Sequence, residues 1–398
     1  MAWRVLLVLV CVHGIGIDAA IAGDEFAATF RLRGGFDSNP EFSTGGNRVG
    51  GSAFISTTTA LAAGTTKDTT TLGIAAEAGT THYANPDATP ALSGKVILRG
   101  SFGEESFRIH TTTTIAASDS YNLRSTDLIQ SVKAESKLGS VKIFTTLEGG
   151  RSSLNQTNAI FQDFLPKPQQ YYRGTAIPGV SVFGDTWELG TSVNLSVRRY
   201  AEELDDFGYR RDNERIQPFL FARYDDKTLS AFGAVSWLRG IWHDVDFSNV
   251  DRVMYESNLT WRPKPLAIEL SASRRAGETT FPISPITIDS VYNGKLSWEI
   301  DKTTLSGSLG YVTSLYVDSP YRSRIWTYGL GVTHDLTKDL ALGLDITHAD
   351  GRLISGDRAS AFIIAASLTQ RFSSSSEDKS GNPQPVRTGL GDPVRRLR

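Results

Sequence analysis

Several stretches of the chain place charged and aromatic side chains at alternate positions, the spacing that puts residues on one face of a β-strand. Between 215 and 224, Arg215, Gln217 and Arg223 share a parity with Phe219 and Phe221. Fixed cations select anions, and phenyl rings offer π-faces on which the apolar C–H edges of sugars can stack. A two-residue turn at Asp225-Asp226 places Phe219 opposite Phe232 and Phe221 opposite Ser230 on the next strand. Phe219, Phe221 and Phe232 then make a candidate stacking platform, with packing beneath a folded loop or the amino-terminal segment as the structural alternative.

The same polar parity collects Arg31, Arg33, Arg99, Arg108, Lys133, Lys137 and Lys142 in the first half of the chain, where they outnumber Glu77, Glu135 and Glu148. In the second half Arg198, Arg215, Arg223, Arg252, Arg262 and Lys295 mix with Glu188, Glu256, Glu269, Asp289, Glu299 and Asp345. If these residues line water, the first set favours anionic solutes or acidic polysaccharide. The second suits a selectivity path and wall-stiffening cross-strand ion pairs equally well.

Catalysis finds little support. His82, His110, His243, His334 and His348 have no adjacent serine motif of the kind a membrane lipid hydrolase needs, and no metal spacing, phosphate loop or nucleotide fingerprint occurs. The expectation is a non-enzyme without cofactor or nucleic-acid partner.

The elements that would hold these residues are strands. Residues 25–372 break into about eighteen alternating segments, each near the length that crosses a bilayer at barrel tilt. From Thr186 to Tyr200 one face carries Trp187, Leu189, Val193, Leu195 and Val197, and the other Glu188, Ser192, Asn194, Ser196 and Arg198. Tight turns at Gly139-Ser140, Asp225-Asp226, Pro263-Lys264-Pro265, Asp301-Lys302 and Thr337-Lys338-Asp339 alternate with longer polar stretches. Two kinds of connection imply two sides. The reading is an all-β, single transmembrane antiparallel up-and-down barrel of 16–18 strands in a Gram-negative outer membrane, with tight turns facing the periplasm. At 40% hydrophobic residues and net charge −2, composition alone would not reveal a membrane protein, because only every second residue of a barrel strand meets lipid.

Tryptophan placement separates this from a β-sandwich. Trp187, Trp237, Trp261, Trp298 and Trp326 lie on the apolar parity near strand ends, as membrane girdles require, rather than at mid-strand. The strand count puts Trp187, Trp261 and Trp298 in the periplasmic girdle and Trp237 and Trp326 in the outer one, with Trp242 in a loop. The longest loop, 152–171, carries Phe161, Phe164 and Leu165, which suit an inward constriction or an adhesive tip.

Residues 1–22 read as a secretory signal peptide, with Arg4, an apolar run from Val5 to Val12 and the cleavage site Ala20-Ile21-Ala22. Residues 23–372 are the barrel. Residues 373–398, rich in Ser, Pro, Gly and Arg, read as a disordered polar periplasmic tail. Expected partners are outer-membrane lipid and lipopolysaccharide. The last strand, with Phe362, Ile364, Leu368 and Phe372 on its outward parity, resembles the terminal β-signal read by barrel-assembly machinery, although a tail follows its aromatic residue.

Near the start, Gly34-Gly35-Phe36-Asp37-Ser38-Asn39-Pro40 resembles the Gly-aromatic-Asp-x-Asn element of outer-membrane β-barrel porin family 2, found in proteobacteria. The resemblance implies a pore for exopolysaccharide export, with periplasmic polysaccharide-export components as partners. A general or anion-leaning solute porin and a structural or adhesive surface barrel are the alternatives.

Overall fold

The computed structural model describes residues 25–44, 49–120, 123–156, 165–281 and 283–373. The signal peptide, nearly all of the tail, Phe161 and Phe164 lie outside the described residues. Eighteen strands follow in chain order. The first nine are β1 (Glu25–Asp37), β2 (Ser52–Lys67), β3 (Thr70–Tyr83), β4 (Ala91–Gly103), β5 (Phe107–Ser120), β6 (Leu123–Leu138), β7 (Val141–Gln156), β8 (Gln169–Phe183) and β9 (Trp187–Tyr200). The rest are β10 (Asn213–Asp225), β11 (Leu229–Trp242), β12 (Val250–Trp261), β13 (Leu266–Gly277), β14 (Thr287–Ile300), β15 (Thr303–Tyr316), β16 (Arg322–Asp335), β17 (Leu340–Arg352) and β18 (Arg358–Ser373). Each pairs antiparallel with its chain neighbours, and β1 pairs with both β2 and β18, so the sheet closes.

Closure explains the amino-terminal motif. A Cβ at Gly35 would collide with the Ile364 carbonyl oxygen and with Ala365, so only glycine lets β1 seat against β18. The Asn39 side chain donates to the Ser43 and Ser360 carbonyls, both at 3.1 Å, and its backbone N–H bonds Asp37. Ser38 and Phe362 exchange two more bonds. Asn39 is buried. The motif is a clasp that ties the first loop over the seam.

Burial is inverted relative to a water-soluble fold. Leu330 is 70% exposed and Leu147 56%, whereas Arg215 is 4% and Ser181 2%. An apolar outside around a polar inside, with every strand paired, is the arrangement a bilayer permits. The five girdle tryptophans are all among the exposed large side chains. On the outer half of β12–β17, the Tyr255 and Tyr292 hydroxyls meet, and Tyr311, Trp326, Tyr328 and His348 continue the ring-to-ring belt at centroid distances of 4.3–6.4 Å.

Turn chemistry shifts one register. β10 continues to Asp225 and β11 resumes at Leu229, because Asp226 accepts the N–H groups of Thr228 and Leu229 at 2.7 Å each. These bonds hold the Asp226 carboxyl below its usual range. The resulting ladder sets Phe219 opposite Ser236, Phe221 opposite Ala234 and Phe232 opposite Arg223. The expected Phe219–Phe232 pair is therefore corrected by four positions, and because four is even every side chain keeps its face.

Candidate functional site: the lumen wall

On the inward face of β6–β11, phenyl rings alternate with ion pairs. Phe144 stands opposite Gly179, and a Cβ there would strike its ring; Gly190 leaves the same room for Phe221. The two rings lie along the wall over these glycines, centroids 6.2 Å apart and tilted by 59°. Cations sit over the rings. Lys133 Nζ is 5.5 Å from the Phe144 centroid, Lys137 Nζ 5.5 Å from that of Phe183, and the Arg223 guanidinium 6.0 Å from that of Phe232. Parity had marked Phe219, Phe221 and Phe232; it missed Phe144, which the cross-strand register brings to Phe221, and Phe183, which lies beneath Lys137.

Most of the nominated cations are paired. Arg31 and Arg33 both reach Asp345, Lys133 meets Glu135 at 2.7 Å, and Lys137 meets Glu105 at 3.0 Å. Lys142 pairs with Glu188, which also accepts from Ser181 at 2.7 Å. Arg108 and Arg223 lie in register opposite Glu135 and Glu188. Arg99 and Arg252 are exposed on the inward parity. Arg262 lies at the periplasmic edge of the wall. It follows the last residue of β12, and its N–H bonds the Thr228 carbonyl at the periplasmic turns. The excess of basic residues seen along the first half of the chain is thus largely balanced across strands.

The mouth is narrowed by a loop that the sequence did not single out. Between β13 and β14, Glu278 reaches Arg198 on β9 and Arg215 on β10, both at 2.7 Å, and accepts from the Tyr200 hydroxyl at 2.9 Å. β13 and β9 are four strands apart, roughly 19 Å along the wall, so the loop crosses inside the rim. Arg211 fixes its course by donating to the carbonyls of Thr279, Phe281 and Ser284 while pairing with Asp205 at 2.9 Å. Burial opposes ionisation of Glu278, but Arg215 and Arg198 outweigh it and hold the carboxyl below its usual value.

Trp242, expected in a loop, is the last residue of β11 and points inward. It is buried beside Leu238 and Met254, with the Arg215 guanidinium 5.8 Å from its ring. Its neighbourhood closes a gap in the sheet. The β12–β13 ladder spans only Tyr255–Trp261, and above it β12 pairs with β11 alone and β13 with β14 alone. Ile286, Ile288 and Val317 complete the apolar cluster there.

Residues 187–369 match the model of a family described as putative beta-barrel porin 2, the family that the Gly34–Pro40 segment resembles. No curated protein matches the chain. Among solved structures, the FrpB iron transporter of Neisseria meningitidis (F5-1 variant, apoprotein) is 9% identical at a TM-score of 0.46, over 84% of this chain and 62% of that one. This chain therefore spans less than two thirds of that transporter. OccAB3 of Acinetobacter baumannii is 11% identical (TM-score 0.44; 88% of this chain, 99% of that one). OccK9 (OpdG) of Pseudomonas aeruginosa is 10% identical (TM-score 0.47; 88% and 98%).

Proposed function

From the premise that this chain is a porin-like β-barrel of the Gram-negative outer membrane, we propose that its lumen passes saccharide chains carrying negative charge, in the manner of exopolysaccharide export. The strip of Phe144 and Phe221, laid flat on glycines with Lys133 above the first ring, carries this reading. Rings held against the wall keep their faces towards the lumen, and a wall of eighteen strands leaves room for water around a passing chain. Sugar C–H faces would slide over the rings while carboxylates exchange among Lys133, Lys137 and Arg223. Charge pairing along the wall keeps each contact weak, which a translocating polymer needs in order to leave as well as enter.

A general anion-leaning solute porin is the second reading, favoured by the loop across the mouth, which would slow a wide polymer. Block of single-channel current by uronic-acid oligomers separates the two. Wild type should be blocked by uronate oligomers more strongly than by neutral oligomers of equal length. F144A/F221A should weaken that block about fivefold, on the order of 1 kcal/mol for lost ring contacts, with open-channel conductance retained. Equal block of wild type and F144A/F221A would leave only the solute porin.

A further inference from the structure

Outward-facing arginines occur at the extracellular rim in two settings. On β9–β12 the cross-strand neighbour is a carboxylate: Arg199 pairs with Glu214 at 2.8 Å, and Arg239 stands in register opposite Asp251. On β16–β18 the register instead places Arg324 opposite Arg352 and Arg352 opposite Arg358. Like charges opposed on a sheet repel. Asp350 holds Arg358 by two bonds of 2.9 and 3.0 Å, and Asp318 on the neighbouring loop accepts the Ser248 N–H at 2.9 Å. Asp357 closes the β17–β18 turn through its backbone carbonyl, which accepts the Leu353 N–H at 3.0 Å. Arg322, Arg324 and Arg352 are exposed and make no ion pair among the described residues.

Two recesses adjoin this row. The upper one is lined by Arg324, Trp326, Asp350, Arg352 and Arg358. The lower one, on the lipid face of β13–β17, is lined by Leu309, Tyr328, Leu330, Ile346 and His348 among others. Trp326 and Tyr328 belong to the outer aromatic belt, and Arg324 lies two residues above Trp326, roughly 7 Å along the strand. That level is where headgroups begin.

We propose that the Arg324–Arg352–Arg358 row binds the phosphorylated headgroup of an outer-leaflet glycolipid, with its acyl chains in the apolar groove beneath. Guanidinium forks match phosphate oxygens in two-point contacts, and a phosphate between Arg324 and Arg352 converts their repulsion into a shared pair. The contiguous apolar groove selects a lipid over free phosphate. The site lies on the lipid face, separate from the lumen, and does not depend on what the pore carries.

Native mass spectrometry of the full barrel in detergent tests this with three probes: diphosphorylated lipid A, the same lipid without phosphates, and inorganic phosphate. Wild type should hold the diphosphorylated lipid at least about tenfold more tightly than the dephosphorylated one, as expected for charge-assisted bonds. R324A/R352A should lose that preference and R199A keep it, with heat-modifiable migration reporting that each variant is folded. Should R324A/R352A fail to fold, R324K/R352K keeps the charge, removes the fork and should weaken binding in part. Equal retention of both lipids by wild type, undiminished binding by either double variant, or displacement of the lipid by millimolar inorganic phosphate would overturn the proposal.

Discussion

Arg198, Arg211 and Arg215 beneath the β13–β14 loop and Arg322, Arg324 and Arg352 on the outer rim are the same side chain under opposite conditions. The inner group is enclosed, with side-chain exposures of 17%, 2% and 4%, and every member has a carboxylate within 2.9 Å. The outer group is exposed and unpaired among the described residues. A buried guanidinium that lost its partner would cost several kcal/mol, so the protein supplies the anion itself. At the rim water screens the charge, and the neutralising anion can come from the surroundings. Pairing inside fixes a loop; its absence outside leaves capacity for a ligand.

The sharpest break in this contrast is Glu278→Ala, which strips Arg198, Arg215 and Tyr200 of one shared acceptor. With the loop in place the cost would be about 3–5 kcal/mol, so the loop should leave instead. Conductance should rise, and residues 278–286 should become cleavable by protease added outside. Protection equal to wild type would show that the apolar cluster alone holds the loop.

Acid should produce the same release reversibly. The Glu278 carboxyl is depressed in the folded state, so its contribution to docking is complete above the ordinary value of 4.5 and is lost as pH falls through the lower folded value. Conductance should stay constant from about pH 7 down to the ordinary carboxylate range and rise only once pH falls below it, whereas E278Q should be open throughout.

Smaller effects sharpen the outer half of the comparison. Arg199→Ala removes an exposed pair and should cost at most about 1 kcal/mol in urea titrations of the refolded barrel. Arg352→Ala should carry the opposite sign, a gain of a few tenths to about 1 kcal/mol in phosphate-free detergent, because it relieves repulsion from Arg324 and Arg358. Loss of stability in R352A under those conditions would mean that the row is satisfied from within.

Alternation made the wall legible because β-strand parity is strict: it placed Trp187 and Leu195 outside and Arg198 and Glu188 inside without any knowledge of pairing. Register was less accessible. Two adjacent aspartates read as a whole turn, yet Asp226 opens a longer one by capping Thr228 and Leu229, and the Phe219–Phe232 pair dissolved. The Phe144–Phe221 contact joins residues 77 apart in sequence and depends on two glycines whose vacancy matters only once strands are aligned. The Glu278 latch was hidden for a related reason. A lone glutamate after a strand carries no periodic signal, and its partners come from strands three and four places away.

The most direct test of a water-filled, anion-leaning pore is single-channel recording of the purified barrel under a potassium chloride gradient. Discrete ohmic steps with a reversal potential on the chloride side, and larger steps for E278A, are the predicted result. Absence of steps in both wild type and E278A, or a reversal potential on the potassium side, would contradict it.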